Sequence, residues 1–314
     1  MTYQLISNIA KSIPLSLVAR GLRDVKLSSL AILGHTYLHH EREVARQNKN
    51  GTLSPTSLNL ELTSFCPYRC DGCYIPIDER RKKDIIDPRL AHSIVQEAVD
   101  MGIRVINLYG GEPLQQETIG LIEDIVRTHP TTSFFSCTNG HYLAKHAGPL
   151  DHLVDQPNYT IALSIDGFQP VNDLIRGRGS FNKLVKAADY LKSRRALFGG
   201  VITVRDENIN DVLSEKFVEY LIELGLMYMA YSVSDQLTNV DNAMARMQEL
   251  KKKPIFEYNG EGGSGFTSAK HNVSRAIFVK SDGNAILLRG KRDLVLGRNL
   301  ADVAKDPRWQ KMYH

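Results

Sequence analysis

The stretch from Ser57 to Thr63 alternates strictly, with Leu58, Leu60 and Leu62 on one face and Asn59, Glu61 and Thr63 on the other. Period two marks a strand with two different surroundings. A helical stretch follows at about 87–101, opened by Asp87-Pro88, an N-cap residue with proline in the first turn. The same rhythm then repeats. Further strands are predicted near 103–109, 132–138, 159–166, 199–205 and 227–233, separated by helices near 115–128, 141–148, 181–195 and 208–224. This makes six βα units.

Within these strands the polar residues lie an even number of positions apart: Ser136 with Thr138, Thr160 with Ser164 and Asp166, Thr203 with Arg205. Each set therefore shares a face, and in a barrel that face looks into the lumen while helices cover the other. An open doubly wound sheet would bury both faces of its central strands and read as continuous apolar runs. The alternation favours an α/β fold of the partial TIM-type (β/α)6 barrel kind, with a lumen polar enough for a bound cofactor.

Two flanks differ from this core. Residues 1–50 mix apolar clusters (Leu15, Leu17, Val18; Leu30 to Leu33) with basic residues at helical spacing, which predicts two or three helices broken near Pro14 and Gly34. Two readings fit: a helical cap packed on the barrel, or an amphipathic element that rests on a membrane surface or delivers an apolar substrate. Beyond the sixth unit, Asp241–Lys253 reads as a helix, Asn259–Gly265 as a flexible loop and Leu300–Tyr313 as a helix. Between them, Ala276–Lys280 and Asn284–Leu288 read as a hairpin across Asp282-Gly283. The division expected is a helical, basic-amphipathic segment at 1–50, a core barrel at 51–238 and a small α+β tail at 239–314.

Composition excludes several classes. Residues 1–50 hold seven Lys/Arg against three acidic residues, and the remainder balances at 32 of each sign. A nucleic-acid protein with a broad basic face is not expected. No apolar run of membrane-spanning length and no signal-peptide pattern is present, and four cysteines do not make a disulfide framework, so a reducing cytoplasm is expected.

Three of those cysteines crowd into "SFCPYRCDGCYIP", residues 64–76, as Cys66, Cys70 and Cys73 on a loop leaving the first strand. Three thiolates can hold three irons of a four-iron cluster and leave the fourth open. A structural zinc site would want a fourth ligand, for which Cys137 or His141 is a candidate. Later loops carry their own motifs: Leu108-Tyr-Gly-Gly-Glu-Pro113, Thr138-Asn-Gly140, Ser164-Ile-Asp-Gly167 and an Arg176-Gly-Arg-Gly-Ser-Phe run. The glycine pair at 110–111 lacks the Lys-Ser/Thr of a phosphate loop. All fall at C-terminal strand ends, where barrel enzymes assemble their sites.

Together these motifs, over about residues 57–235, resemble the radical S-adenosylmethionine superfamily. The resemblance implies one [4Fe–4S] cluster on Cys66, Cys70 and Cys73, whose open iron chelates S-adenosylmethionine, and reductive cleavage to a 5′-deoxyadenosyl radical. It also implies cofactor contacts from Gly110, Gly111 and Glu112 toward the methionine amino group. Thr138, Asn139, Ser164, Asp166 and Arg176 are implied toward the ribose and the carboxylate. For Asp166 and Arg176 a cap pair that steadies the loop is the alternative reading. The family often has an aromatic residue before the third cysteine, over the adenine. Here Gly72 stands in that place, and Tyr74 is the candidate to take over.

The tail resembles the C-terminal extension of the SPASM/twitch subgroup, yet has no cysteine beyond Cys137, so it holds no cysteine-bound auxiliary cluster. Expected partners are a small-molecule or lipid-like substrate, with a peptide as the alternative, and a reductant such as a flavodoxin or ferredoxin. Membrane-surface contact through residues 1–50 is a further expectation. A non-catalytic metal protein is the alternative of another class. The hydrogen-exchanging residue is unassigned, with Tyr109, Arg205 and Tyr231 marked only by position.

Overall fold

The structure is a computed structural model that describes residues 15–51, 53–146, 148–234, 236–250, 256–260, 276–289 and 292–313. The barrel strands are β1 (Ser57–Thr63), β2 (Val105–Gly110), β3 (Ser133–Thr138), β4 (Tyr159–Ser164), β5 (Phe198–Val204) and β6 (Tyr228–Val233). Each pairs in parallel with the next. Leu58, Leu60 and Leu62 are fully buried and join one continuous core with the crossover helices α3 (Pro88–Asp100), α4 (Gln116–Thr128) and α8 (Ser180–Ser193). Truncating such a leucine to alanine costs about 2–5 kcal/mol. The start of α3 is set locally, since Asp87 Oδ1 accepts from the backbone N–H groups of Arg89 and Leu90 at 2.9 and 3.1 Å, while Pro88 needs no partner.

The sheet continues past the six units on both sides. β7 (Phe256–Gly260) adds in parallel to β6. On the other flank β8 (Ala276–Val279) adds in parallel to β1, and β9 (Ala285–Arg289) and β10 (Arg292–Gly297) follow antiparallel. Among the described residues the order is β10-β9-β8-β1-β2-β3-β4-β5-β6-β7 in one ten-stranded sheet. The hairpin read from Asp282-Gly283 is the β8–β9 connection. β7 and β10 have no counterpart among the sequence-based strands, and part of the segment read as a flexible loop, at 259–260, belongs to β7. Residues 261–265 lie outside the described residues, as does the break near Pro14.

Helices α1 (Leu15–Asp24) and α2 (Leu27–Asn50) close the N-terminal end of the barrel. Arg20 donates to the carbonyls of Leu226 and Ile222 at 2.7 and 3.1 Å, and Ser133 Oγ to Thr36 Oγ1 at 2.8 Å. A cavity of about 10 Å³ is lined by Leu33, Thr36, Tyr37 and His40 of α2 with Val105, Ser133 and Phe135 of the barrel floor. The helix does not break at Gly34 as expected; the break falls at Val25-Lys26. A single glycine in an exposed helix costs only about 1 kcal/mol relative to alanine, which the packing of α2 on the floor outweighs.

Other boundaries shift for local reasons. The helix read over 208–224 divides into α9 (Ile209–Val212) and α10 (Glu215–Leu224), because Ser214 Oγ accepts from Phe217 N–H and starts a new helix. The C-terminal helix divides into α12 (Leu300–Lys305) and α13 (Pro307–Tyr313), after α11 (Val240–Leu250), because a residue before proline is pushed out of the helical region. Asp306 is extended there, at ψ 125°. α13 is anchored by Trp309, which is fully buried and donates to Ala276 O on β8 at 3.2 Å.

Candidate active site

Alternation fixes which side chains meet in the lumen. On β1 they are Asn59 and Glu61, on β2 Asn107 and Tyr109, on β4 Thr160, Ala162 and Ser164, on β5 Val201 and Thr203, and on β6 Tyr228, Ala230 and Ser232. Asn107 Nδ2 donates to Asn59 Oδ1 at 3.0 Å, and the hydroxyls of Thr203 and Ser232 lie 3.3 Å apart. The lining mixes these polar groups with Ala162, Val201 and Ala230.

β3 corrects the sequence reading. Its face with Ser136 and Thr138 also carries Phe134, which is fully buried in the helix-side core against the His129 ring, so that face turns away from the lumen. Phe135 and Cys137 turn inward instead, opposite Thr160 and Ala162 in register. Cys137 is thus a half-buried lumen thiol, and burial raises its pKa to about 11. Tyr231 also leaves the lumen: its hydroxyl donates to Val212 O at 3.0 Å on the helix side.

At the C-terminal rim, the loop after β1 carries the three other free thiols. Cys66 is buried, which raises its pKa to about 12, with the negative charge of Glu112 nearby adding to the effect. Burial also raises that of Cys70, against the pull of Arg176. The loop's carbonyls are gripped by arginines: Arg69 donates to Cys66 O at 2.8 Å, Arg80 to Cys70 O at 3.3 Å and Arg205 to Asp71 O at 3.0 Å. Asp71 N–H donates to Ile175 O on α7 (Gln169–Arg176), and Asn139 Nδ2 lies 3.8 Å from Cys66 Sγ. Sequence reading gave Arg69 and Arg80 no role, although Arg69 lies within the cysteine motif, and marked Arg205 only by position, because which carbonyls they reach depends on the folded loop.

The Gly-Gly-Glu turn packs against the same loop. Gly111 N–H donates to Thr63 O and Glu112 N–H to Phe65 O, both at 2.8 Å. A Cβ at Gly110 would lie 2.1 Å from Thr63 O, and one at Gly111 2.3 Å from the carbonyls of Ser64 and Phe65. The glycines therefore make room for the thiol loop's backbone.

Glu112 is 2% exposed and its carboxylate is engaged within the protein. Oε1 accepts from Thr138 Oγ1 at 2.6 Å and Leu114 N–H at 2.9 Å, and Oε2 from Asn139 N–H at 2.7 Å. Burial raises its pKa to about 7 despite these donors. Asn139 Oδ1 in turn accepts from His141 N–H at the start of α5 (His141–Lys145). Glu112, Thr138 and Asn139 thus tie β2, β3 and the thiol loop together.

Asp166 and Arg176 pair at 2.8 Å, and Asp166 Oδ1 also accepts from Thr203 N–H. Burial opposes the Arg176 charge, but Asp166 and the thiols of Cys70 and Cys73 hold its pKa above the usual value. Ser164 is half-buried on the lumen face. Tyr74 is 65% exposed, with its hydroxyl 3.4 Å from Gly110 O and its ring 6.5 Å from that of Tyr109. So Tyr74 stands at the rim beside the Gly-Gly-Glu turn.

The donor set fits an iron–sulfide cluster. Three free thiols share one loop, and buried donors around the site, Tyr68 Oη, Arg80 Nε and Arg205 Nε, have no partner among the described residues. Such groups are costly unless an anion receives them. Among the described residues no three His, Cys, Asp or Glu side chains gather around a single metal ion.

A parallel βα barrel with a three-thiol loop at its C-terminal rim, bound to a Gly-Gly-Glu turn, defines an iron–sulfur enzyme class. The radical SAM superfamily model matches residues 60–218, half of the chain, and the protein belongs to that superfamily. It is 25% identical over 198 residues to the mycofactocin maturase MftC of Mycolicibacterium smegmatis, covering 63% of this chain and 47% of the relative. It is 30% identical over 231 residues to the GTP 3′,8-cyclase of Hydrogenovibrio crunogenus, covering 66% of each. The chain thus spans about half to two thirds of the length of these relatives. Among solved structures, Streptococcus suis SuiB bound to S-adenosylmethionine aligns with a TM-score of 0.66 at 14% identity, over 87% of this chain and 71% of that one. anSMEcpe with bound AdoMet aligns at 0.62 and 17%, over 82% and 83%. At these identities the likeness is one of fold.

Proposed function

We propose that the protein is a radical SAM enzyme that acts on a small polar substrate held in the barrel lumen. The observation that carries this reading is the convergence on one rim of Cys66, Cys70 and Cys73 with the Gly-Gly-Glu turn and the Asp166–Arg176 pair. When bound, a [4Fe–4S] cluster and S-adenosylmethionine supply a carbon radical that abstracts substrate hydrogen, on receipt of one electron from a donor such as a flavodoxin or ferredoxin. The chain's own residues hold and shield. Cys66, Cys70 and Cys73 would hold the iron as thiolates, so cluster uptake competes with protonation of Cys66 and Cys70, whose pKa values burial raises. Arg176, fixed by Asp166, offers a planar donor fork suited to a carboxylate. The backbone of Gly110 and Gly111 together with Glu112, Thr138, Asn139, Ser164 and Tyr74 are the remaining groups proposed to meet the cofactor.

The polar groups Asn59, Glu61, Asn107, Thr160 and Ser232 within the lining favour a small polar substrate over a lipid-like one, which needs an apolar tunnel. A peptide is the second reading, favoured by likeness to SuiB, solved with its precursor peptide SuiA, and to MftC. Membrane-surface contact by residues 1–50 rests on the exposed Leu22 and Leu27 beside Arg23. No helix among the described residues is long and apolar enough to cross a membrane. Co-sedimentation of the full chain with anionic vesicles tests the contact, and recovery of all protein in the supernatant ends it.

The direct test of the reaction is anaerobic reconstitution with iron and sulfide, then reduction in the presence of S-adenosylmethionine. Formation of methionine and 5′-deoxyadenosine is expected. Their absence from a sample with a full complement of iron and sulfide would sink the proposal.

A further inference from the structure

We propose that Arg205 is a positioning residue for the cluster-binding loop, seated in the space that a side chain at position 72 would fill. The inference rests on the cluster reading above and concerns which residue sets the geometry and charge on the Cys70–Cys73 flank.

Only Asp71 and Gly72 separate Cys70 from Cys73. Gly72 has φ +60°, a left-handed conformation that glycine adopts without strain. A Cβ there would lie 2.2 Å from Arg205 Nη1, 3.2 Å from Cζ and 3.4 Å from Nη2, so the guanidinium occupies the place of the missing side chain. Nη1 donates to Asp71 O at 3.0 Å, while Nε is buried with no partner among the described residues.

The arm that carries this group is held from the other side. Arg205 N–H donates to Oδ1 of the fully buried Asn208 at 2.8 Å, and Asn208 Nδ2 donates to the carbonyls of Thr203 and Asp166 at 2.9 and 3.1 Å. Asn208 thus links the ends of β4 and β5. One rigid corner therefore sets both Arg205 and the Asp166–Arg176 pair relative to the thiol loop. The fixed positive charge on the flank between the second and third thiolates stabilises added negative charge on a cluster there, which raises the cluster's reduction potential.

The test uses the full chain, reconstituted anaerobically with iron and sulfide, as wild type, Arg205→Met, Arg205→Lys, Gly72→Ala and the double variant Gly72→Ala/Arg205→Met. Two quantities are read without turnover: iron and sulfide retained per chain after desalting, and the midpoint potential of the cluster. Arg205→Met is expected to lower the midpoint potential and reduce iron retention severalfold. Arg205→Lys is expected to keep the potential near wild type while retaining less iron, because an ammonium lacks the guanidinium fork. Gly72→Ala is expected to reduce retention in wild type and to add less to Arg205→Met, since the atom it collides with is gone while the strain of alanine at φ +60° is common to both backgrounds.

Equal potential and retention in wild type and Arg205→Met, or equal losses from Gly72→Ala in both backgrounds, would overturn the inference. Should Arg205→Met not fold, Arg205→Lys with and without Gly72→Ala makes the same comparison. Failure of wild type itself to take up iron and sulfide would instead count against the cluster reading.

Discussion

Thr138 Oγ1 lies 2.6 Å from Glu112 Oε1, and this bond joins the end of β3 to the turn that leaves β2. It is part of why a carboxylate can stand 2% exposed behind the thiol loop, since Leu114 N–H and Asn139 N–H complete its set of donors. Replacing Thr138 with valine keeps the shape and removes one donor. A loss of about 1–3 kcal/mol in unfolding free energy is expected by urea titration of the metal-free protein, whereas Thr138→Ser should cost less.

The same carboxylate predicts a pH dependence. Its folded-state pKa is raised from 4.5 to about 7, so between those values the folded protein holds a proton that the unfolded chain has released. Stability then falls as pH rises through that window and levels off above it. The difference between wild type and Glu112→Gln should therefore change by about 3 kcal/mol between pH 4.5 and pH 7.5, against wild type. Denaturant titration of both metal-free proteins at the two values checks it, and a flat difference would contradict the buried carboxylate.

Two glycines should respond oppositely to alanine. At Gly111 the new Cβ meets the backbone carbonyls of Ser64 and Phe65 at 2.3 Å, which cannot move aside as a flexible side chain could. A loss of about 3 kcal/mol is expected. At Gly34, in the middle of α2, nothing lies within 4 Å, and alanine should stabilise by about 0.5–1 kcal/mol. Thermal unfolding of the two variants separates them.

Cys70→Ala should abolish stable iron and sulfide uptake, while Cys137→Ser should leave both at the wild-type level. Cys137 turns into the lumen from β3 and belongs to neither the loop nor its arginine supports. Loss of metal in Cys137→Ser would revive a site with a fourth protein ligand. Metal and sulfide analysis after desalting decides the matter.

Arg176→Lys should weaken binding of S-adenosylmethionine by about tenfold, the equivalent of roughly 1.4 kcal/mol for one charge-assisted contact. Equilibrium dialysis against the reconstituted protein measures this. Unchanged affinity would leave Arg176 as a loop brace paired to Asp166.

How much of this was open to sequence reading depends on distance along the chain. The six βα units, the Asp87-Pro88 helix start and the Asp282-Gly283 hairpin were legible, because period, caps and turns are local. β7 and β10 were not: β7 is a short stretch after α11 and β10 lies among glycines and charges, so each owes its strand form to a neighbour in the sheet. The face of β3 was misread because Ser136 and Thr138 looked like lumen residues by type, while the burial of Phe134 on the same face set the orientation.

The cysteine spacing and the motifs at the strand ends pointed, by themselves, to the proposed donor set, since ligand chemistry is carried by residue type and order. What only the tertiary structure decided is what supports those donors. The bonds from Arg80 and Arg205 to the thiol loop join residues 10 and 134 positions apart, and the Cβ-free faces of Gly72 and Gly111 matter only because other backbone and side-chain groups arrive there. Contacts of that range arise when the sheet curls and brings its strand ends to one rim. No local pattern encodes them.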